Sequence, residues 1–384
     1  MANRTSLCGI LTLLFLLTSF ATAQAKAAQK YVMYVGTYTE RGSKGIYAFD
    51  FANGHLTSLG LKAEVANPSF LALSSSGQDL YAVSEVGNFQ GRHSGGVLAY
   101  RTDASNGALT PLNQTPSIGE GPCHLSIDKT GKFLLVANYD SGSVASFALQ
   151  PDGKLGNVAA FVQHLGASVD PERQKGPHAH FIETTADNRF AIAADLGLDQ
   201  LLIYKFNPND GSLAASLPPF VSVHAGEGPR HFVFSHDQKY LYLVTELDSS
   251  VSTFTYDAQQ GRLQQKQTLS AIPKDYKGKS DAAEIQIDAR GKFLYASTRG
   301  PDSIAVFKIS PTDGTLTMVQ TVPSGGKTPR YFAIDPSGKF LLAGNQESDN
   351  IVTFRISQKT GKLLKVGEPT PVISPVSFVF LEAK

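Results

Sequence analysis

The sequence predicts an all-β fold, a seven-bladed β-propeller closed by pairing of its N- and C-terminal segments. Three observations carry the prediction. A strand–turn–strand phrase recurs along the chain at intervals near fifty residues. Apolar residues within each copy alternate with period two, the pattern of strands rather than of helices. One copy is split between the two chain ends, which suits a ring.

The N-terminus reads as an address. Arg4 supplies a positive start, Leu7 to Phe20 is an apolar run, and Ala21-Thr22-Ala23 is a small-x-small cleavage site. The run is shorter than the roughly 20 residues of a membrane span. Residues 1–23 are therefore expected to be a cleaved signal peptide, and 24–384 a single propeller domain, exported to the periplasm or secreted. Cleavage removes Cys8 and leaves Cys123 as the one cysteine, so no internal disulfide is expected.

The repeats come next. NPSFLALSSSGQDLYAVSE begins at Asn67, and GPCHLSIDKTGKFLLVANY at Gly121. GPHAHFIETTADNRFAIAADL begins at Gly176, and GPRHFVFSHDQKYLYLVTE at Gly228. DAAEIQIDARGKFLYASTR follows from Asp281 and TPRYFAIDPSGKFLLAGNQ from Thr328. The anchors Pro68, Pro122, Pro177, Pro229, Ala282, Pro329 and Pro375 are 54, 55, 52, 53, 47 and 46 residues apart. Each copy continues into a second strand pair, such as SVASFALQPDGKL, whose D-G, N-G or Q-G step is a hairpin turn. Four antiparallel strands in about 50 residues make one propeller blade. The initial KYVMYVGTYTE supplies a second strand and GIYAFDFANGHL a third and fourth. The missing first strand is SPVSFVFLE at the C-terminus, and closure there removes free sheet edges.

Composition narrows the function. The chain has 34 basic and 33 acidic residues, a net charge of +1, so no charge excess points to nucleic acid or a basic partner. No HExxH, cysteine pair or phosphate loop occurs, so neither a metal ion nor a cofactor is expected. Ser-His-Asp catalysis lacks a GxSxG elbow. Stable membrane association after cleavage is not expected, and the chain is expected to be a monomer or homodimer.

Comparing equivalent repeat positions singles out titratable residues. Two positions after the anchors come Phe70, His124, His180, His231, Glu284, Tyr331 and Ser377, allowing one extra residue in the third copy. One position earlier come Ser69, Cys123, Ala179, Arg230, Ala283, Arg330 and Val376. The second strands end at Tyr38, Glu85, Tyr139, Leu196, Glu246, Arg299 and Gln346. Packing does not require His, Arg and Glu at such positions, so they mark a candidate site. His178 and His180 alternate along a strand, so only one is expected to face the channel. The longest loops, 86–96 and 164–177, are candidate lids.

VGTYT, GPCHLSID, VANYDSGSV, GPHAHF, GEGPRHFVF, YLVTELDSSV and GKFLYASTRGPDSI together resemble the seven-bladed propeller lactonases. That family includes 6-phosphogluconolactonase and carboxy-muconate lactonising enzymes. The resemblance covers the whole mature chain. It implies a catalytic quartet of His180 (with His178 as the alternative), Arg230, Glu246 and Arg299, and further substrate contacts at His124, His178 and Arg330. It implies metal-independent hydrolysis of a sugar lactone, phosphorylated or not. Glu246 or His180 would activate water, while Arg230 and Arg299 would hold the developing oxyanion. A signal peptide is out of place on a cytoplasmic enzyme and points toward an unphosphorylated or other organic lactone. The competing readings are a muconate-type lactonising cycloisomerase and a non-catalytic binding propeller.

Overall fold

The computed structural model describes residues 29–383. The expected signal peptide, 1–23, lies outside them. Seven four-stranded antiparallel sheets follow one another. Blade 1 combines Tyr31–Thr37, Gly45–Ala52 and His55–Glu64 with Pro375–Glu382. Blades 2 to 7 span 71–116, 122–163, 179–222, 229–270, 281–323 and 329–371.

Closure is as the repeat phase predicts. The C-terminal strand pairs antiparallel with the first, from Tyr31 opposite Glu382 to Val35 opposite Phe378. Seven apolar clusters each join two neighbouring blades, so the core is a closed succession of blade interfaces. Blade 1 packs on blade 7 through Phe49, Phe51, Phe340 and Phe378. Burial of such side chains contributes roughly 1.5–3 kcal/mol each. The outermost strands are half exposed, as Leu155–Gln163 illustrates.

Side-chain bonds fix the turns. In blades 3, 6 and 7 an aspartate (Asp128, Asp288 or Asp335) ends the first strand. Its Oδ1 accepts two backbone N–H groups across the hairpin, from Lys132 and Phe133 in blade 3. The glycine in each such turn, Gly131, Gly291 or Gly338, has φ near +65° to +71°. Second-strand tyrosines tie blades together: Tyr81, Tyr242 and Tyr295 donate to the carbonyls of Gly153, Gly314 and Gly361 at 2.9–3.0 Å.

Candidate active site

The first strands converge on the axis, and all but the first residues of each obey a regular ladder. The exception creates the site. In blade 3 Pro122 pairs with Asn138 and His124 with Ala137, so Cys123 is an extra, bulged residue. Arg230 is bulged in blade 5 and Arg330 in blade 7 in the same way. In blade 4 Ala179 pairs with Asp195 and Phe181 with Ala194, so the bulged residue is His180. A bulge re-aims its side chain and breaks the alternation of faces.

This register corrects the repeat comparison. His180 is the counterpart of Arg230 and Arg330, and Phe181 is the counterpart of His124 and His231. Two extra residues precede the strand of blade 4, rather than one, because Ala179 takes the anchor place expected for Pro177. The strand alternation expected of His178 and His180 is also corrected. His178 stacks on the Tyr139 ring at 4.5 Å and His180 meets the same ring edge-on at 5.4 Å. His178 stands before the strand and His180 in its bulge, so strict alternation does not govern them.

The residues after the bulge form a floor. The His124 ring lies 4.3 Å from Phe70 and 3.9 Å from Phe181. His231 lies 5.0 Å from Phe181, and Phe70 lies 5.9 Å from Tyr331. His124 Nδ1 accepts the Ile182 N–H at 3.3 Å, and the residue is only 2% exposed. It therefore sits in the floor, a layer below the other candidates. His231 Nδ1 is 2.9 Å from Glu284 Oε2. Burial pushes the Glu284 carboxyl up to about 8, against the pull of Arg230.

Above the floor, Glu246 collects charge from three directions. Its Oε2 lies 2.8 Å from Arg230 Nε and 3.0 Å from an Arg299 terminal nitrogen. Its Oε1 accepts from Arg173 at 2.7 Å. His180 Nε2 is 4.0 Å from Oε2. His180, Arg230, Glu246 and Arg299, from blades 4, 5 and 6, thus meet at one end of the channel. Backbone carbonyls hold the arginines: Arg230 donates to Ala283 at 2.5 Å and Arg299 to Asp281 and Ala282 at 3.2 and 3.0 Å.

Burial alone would raise the Glu246 pKa, but Arg299, Arg230, His180 and Arg173 outweigh it and hold the carboxyl well below its usual range. Burial and then Arg230 push His180 well below 6.5, against the pull of Glu246, so its imidazole is neutral at pH 7. Arg230 is lowered to about 10 by burial and its cationic neighbours and remains charged. Arg330 lies with its guanidinium 5.1 Å from the centre of the Tyr38 ring, and Tyr38 donates to Glu85 at 2.9 Å.

Sequence comparison missed Arg173. It lies in the 164–177 loop, which has no counterpart in the other repeats. That loop is pinned: Asp170 Oδ1 accepts the N–H groups of Glu172 and Arg173, and Gln174 donates to the Leu196 carbonyl. Arg173 also donates to the Tyr139 hydroxyl at 3.0 Å. At its base, His164 joins Asp195 at 2.6 Å and Tyr204 at 2.7 Å. The same Asp195 accepts the His178 N–H at 2.8 Å. The length of the loop was the available signal. The other long loop, 86–96, holds a short hairpin of Asn88–Phe89 and Arg92–His93.

Comparison with known proteins agrees with this architecture. The family described as "Lactonase, 7-bladed beta-propeller" matches residues 32–380. The chain is 38% identical over 305 residues to a Bacillus subtilis protein named 6-phosphogluconolactonase, covering 79% of this chain and 84% of that one. A Formosa agariphila protein of the same name is 38% identical over 312 residues, covering 78% and 85%. The solved structure of a Pseudomonas aeruginosa periplasmic gluconolactonase superposes with a TM-score of 0.88 at 33% identity, covering 92% of this chain and all of that one. The ring of seven blades and the match over nearly all of it lead to one conclusion: this chain belongs to the seven-bladed β-propeller lactonase family.

Proposed function

We propose that this protein is an exported lactonase that opens an unphosphorylated sugar δ-lactone to its acid at the Glu246 end of the channel. The observation that carries the reading is Glu246, ion-paired to Arg173, Arg230 and Arg299 with His180 beside it. Lactone hydrolysis passes through a tetrahedral oxyanion, and pre-positioned guanidinium groups stabilise such charge without reorganising. Arg173 and Arg299 are the more exposed cations, at 38% and 15%, and they take the carbonyl oxygen. Arg230, buried beneath them, keeps Glu246 in place.

His180 is the base. Its imidazole is neutral at pH 7 and accepts a proton from the attacking water, and Glu246 at 4.0 Å stabilises the imidazolium that forms. Glu246 itself, held by three guanidinium groups, is too weak a base for the step. The proton returns to the ring oxygen as the ester C–O bond breaks. His178 and Arg330 border the sugar; His124, in the floor, supports the rings above it.

The apolar leader of residues 1–23 and the likeness to a periplasmic gluconolactonase support export, and with it an unphosphorylated substrate. The test is proton release by the mature protein against a panel of sugar lactones, phosphorylated and not, with muconates followed by ultraviolet absorbance. Turnover of glucono-1,5-lactone is expected. Turnover of muconates alone favours the cycloisomerase, and turnover of nothing favours a binding protein.

A further inference from the structure

A small cavity lies between the floor and the Glu246 cluster, and its lining is unbalanced in charge. Arg230, Arg330, His231, Cys123, Ser69 and Glu85 contribute to its wall. It has room for about one water-sized occupant, too little for a sugar or a phosphate group. Arg330 makes no ion pair among the described residues, and its guanidinium rests on the Tyr38 ring. Arg230 spends its Nε on Glu246 and one terminal nitrogen on the Ala283 carbonyl. His231 is 3% exposed, and its Nε2 has no hydrogen-bond partner among the described residues.

The wall presents donors. His231 Nδ1 lies 2.9 Å from Glu284 Oε2, and with the Glu284 carboxyl pushed up to about 8 by burial the shared proton comes from Glu284, so the imidazole proton sits on the unpartnered Nε2. Two guanidinium groups and this imidazole then line one small space, while the Cys123 thiol on the same wall donates toward the Ala179 and His180 carbonyls. The acceptor on the wall, Glu85, already takes the Tyr38 hydroxyl proton. Arg230 shares the Glu246 carboxylate with Arg173 and Arg299, and Arg330 is countered by Glu85 and Glu246, so around a neutral water the buried cations outnumber the carboxylates, which is costly in a low dielectric. A monatomic anion accepts from every donor and cancels one of the charges.

We propose that the cavity is a binding site for a halide-sized anion, held by Arg230, Arg330 and the Nε2–H of His231 beneath the substrate position. The site is built from bulged and floor residues of blades 3, 5 and 7, so it exists whether or not the mouth above it turns over a lactone. The surplus charge below the mouth is then satisfied by an inorganic anion, which agrees with a substrate that carries no phosphate.

Bromide is the probe. Crystals of the mature protein soaked in sodium bromide are expected to show an anomalous peak in contact with Arg330 and His231 Nε2. In solution the unfolding midpoint is expected to rise with the logarithm of bromide concentration, beyond that in methanesulfonate at equal ionic strength. Arg330→Gln is expected to weaken bromide binding about tenfold or more, the size of a lost charge-assisted bond. The wild-type readings stand alone if that variant does not fold. Absence of the peak, with equal midpoints in the two salts, makes this a water site and overturns the proposal. A peak that binds equally well in folded Arg330→Gln also overturns it. No reading uses a lactone, so failure here is separate from failure of the lactonase assignment.

Discussion

The guanidinium of Arg173 lies 2.7 Å from Glu246 Oε1, joining a loop between blades 3 and 4 to the end of a strand in blade 5. The arginine is 38% exposed and the glutamate 4%, so the bond runs from the solvent edge of the mouth to its buried centre. It gives the loop a chemical role: it carries the most solvent-accessible cation of the cluster.

Arg173→Gln removes that cation but leaves Glu246 paired to Arg230 and Arg299. Lactone kcat/KM is expected to fall about tenfold, the size of one charge-assisted bond, while the unfolding midpoint barely moves because partly exposed pairs contribute little stability. Steady-state kinetics and thermal unfolding of the same preparation check both halves. Unchanged kinetics with a lowered midpoint would make the bond structural.

Glu246→Gln leaves three arginines crowded without their counter-charge. Breaking a buried pair from one side costs on the order of 3–5 kcal/mol, and urea unfolding at pH 7 should show a loss of that order. The pH dependence has a definite sign. The folded pKa of Glu246 is depressed, so its contribution is present above the ordinary 4.5 and is lost as pH falls through the folded value. The stability gap between wild type and variant is therefore widest near neutrality and narrows in acid.

His180→Asn keeps a polar group of similar reach but removes the proposed base. A loss of about 100-fold in kcat/KM is expected, with folding intact. In wild type the imidazole is already neutral at its ordinary pKa of 6.5, so kcat/KM should be flat from pH 6.5 to 8, with its acid limb lower. A rate that climbs through pH 6.5–8 assigns the base to another group.

Glu284→Gln tests the floor. The folded pKa of Glu284 is raised from 4.5 to about 8, so the folded state holds its proton longer than the unfolded chain. That preference weakens wild-type stability as pH rises between those two values. The neutral amide has no such dependence, so the variant should gain on wild type across that window. Chemical unfolding at pH 5 and pH 8 measures the difference.

Much of this was legible in residue order. The period-two alternation, the hairpin glycines and the split copy are local, and they fixed the blade count and the pairing of Pro375–Glu382 with Tyr31–Thr37. His180, Arg230, Glu246 and Arg299 stood out because repeats supply internal comparisons, and the structure brings them together. What was not legible depended on register. A bulge leaves no mark on apolar periodicity, so the places of His180 and Phe181 were exchanged, and the position of His124 in the floor, expected only as a further substrate contact, was not legible. Arg173 lies in a loop without a repeat partner, and its reach to Glu246 depends on the backbone bonds around Asp170 and Gln174. The tilt of His178 onto Tyr139 likewise needs Asp195 to hold its backbone.

The proposed hydrolysis of a sugar lactone rests on stabilisation of an oxyanion by the Glu246 cluster. Its most direct test is initial-rate proton release from glucono-1,5-lactone in a pH-stat, comparing wild type with Arg299→Ala. Arg299 is chosen because its guanidinium lies 3.0 Å from Glu246 Oε2 and is still partly exposed at the mouth. Wild-type hydrolysis far above the spontaneous rate is expected, with a loss of about 100-fold or more in kcat/KM for the folded variant. Wild-type protein that adds nothing to the spontaneous rate, or an Arg299→Ala variant as fast as wild type, would contradict it.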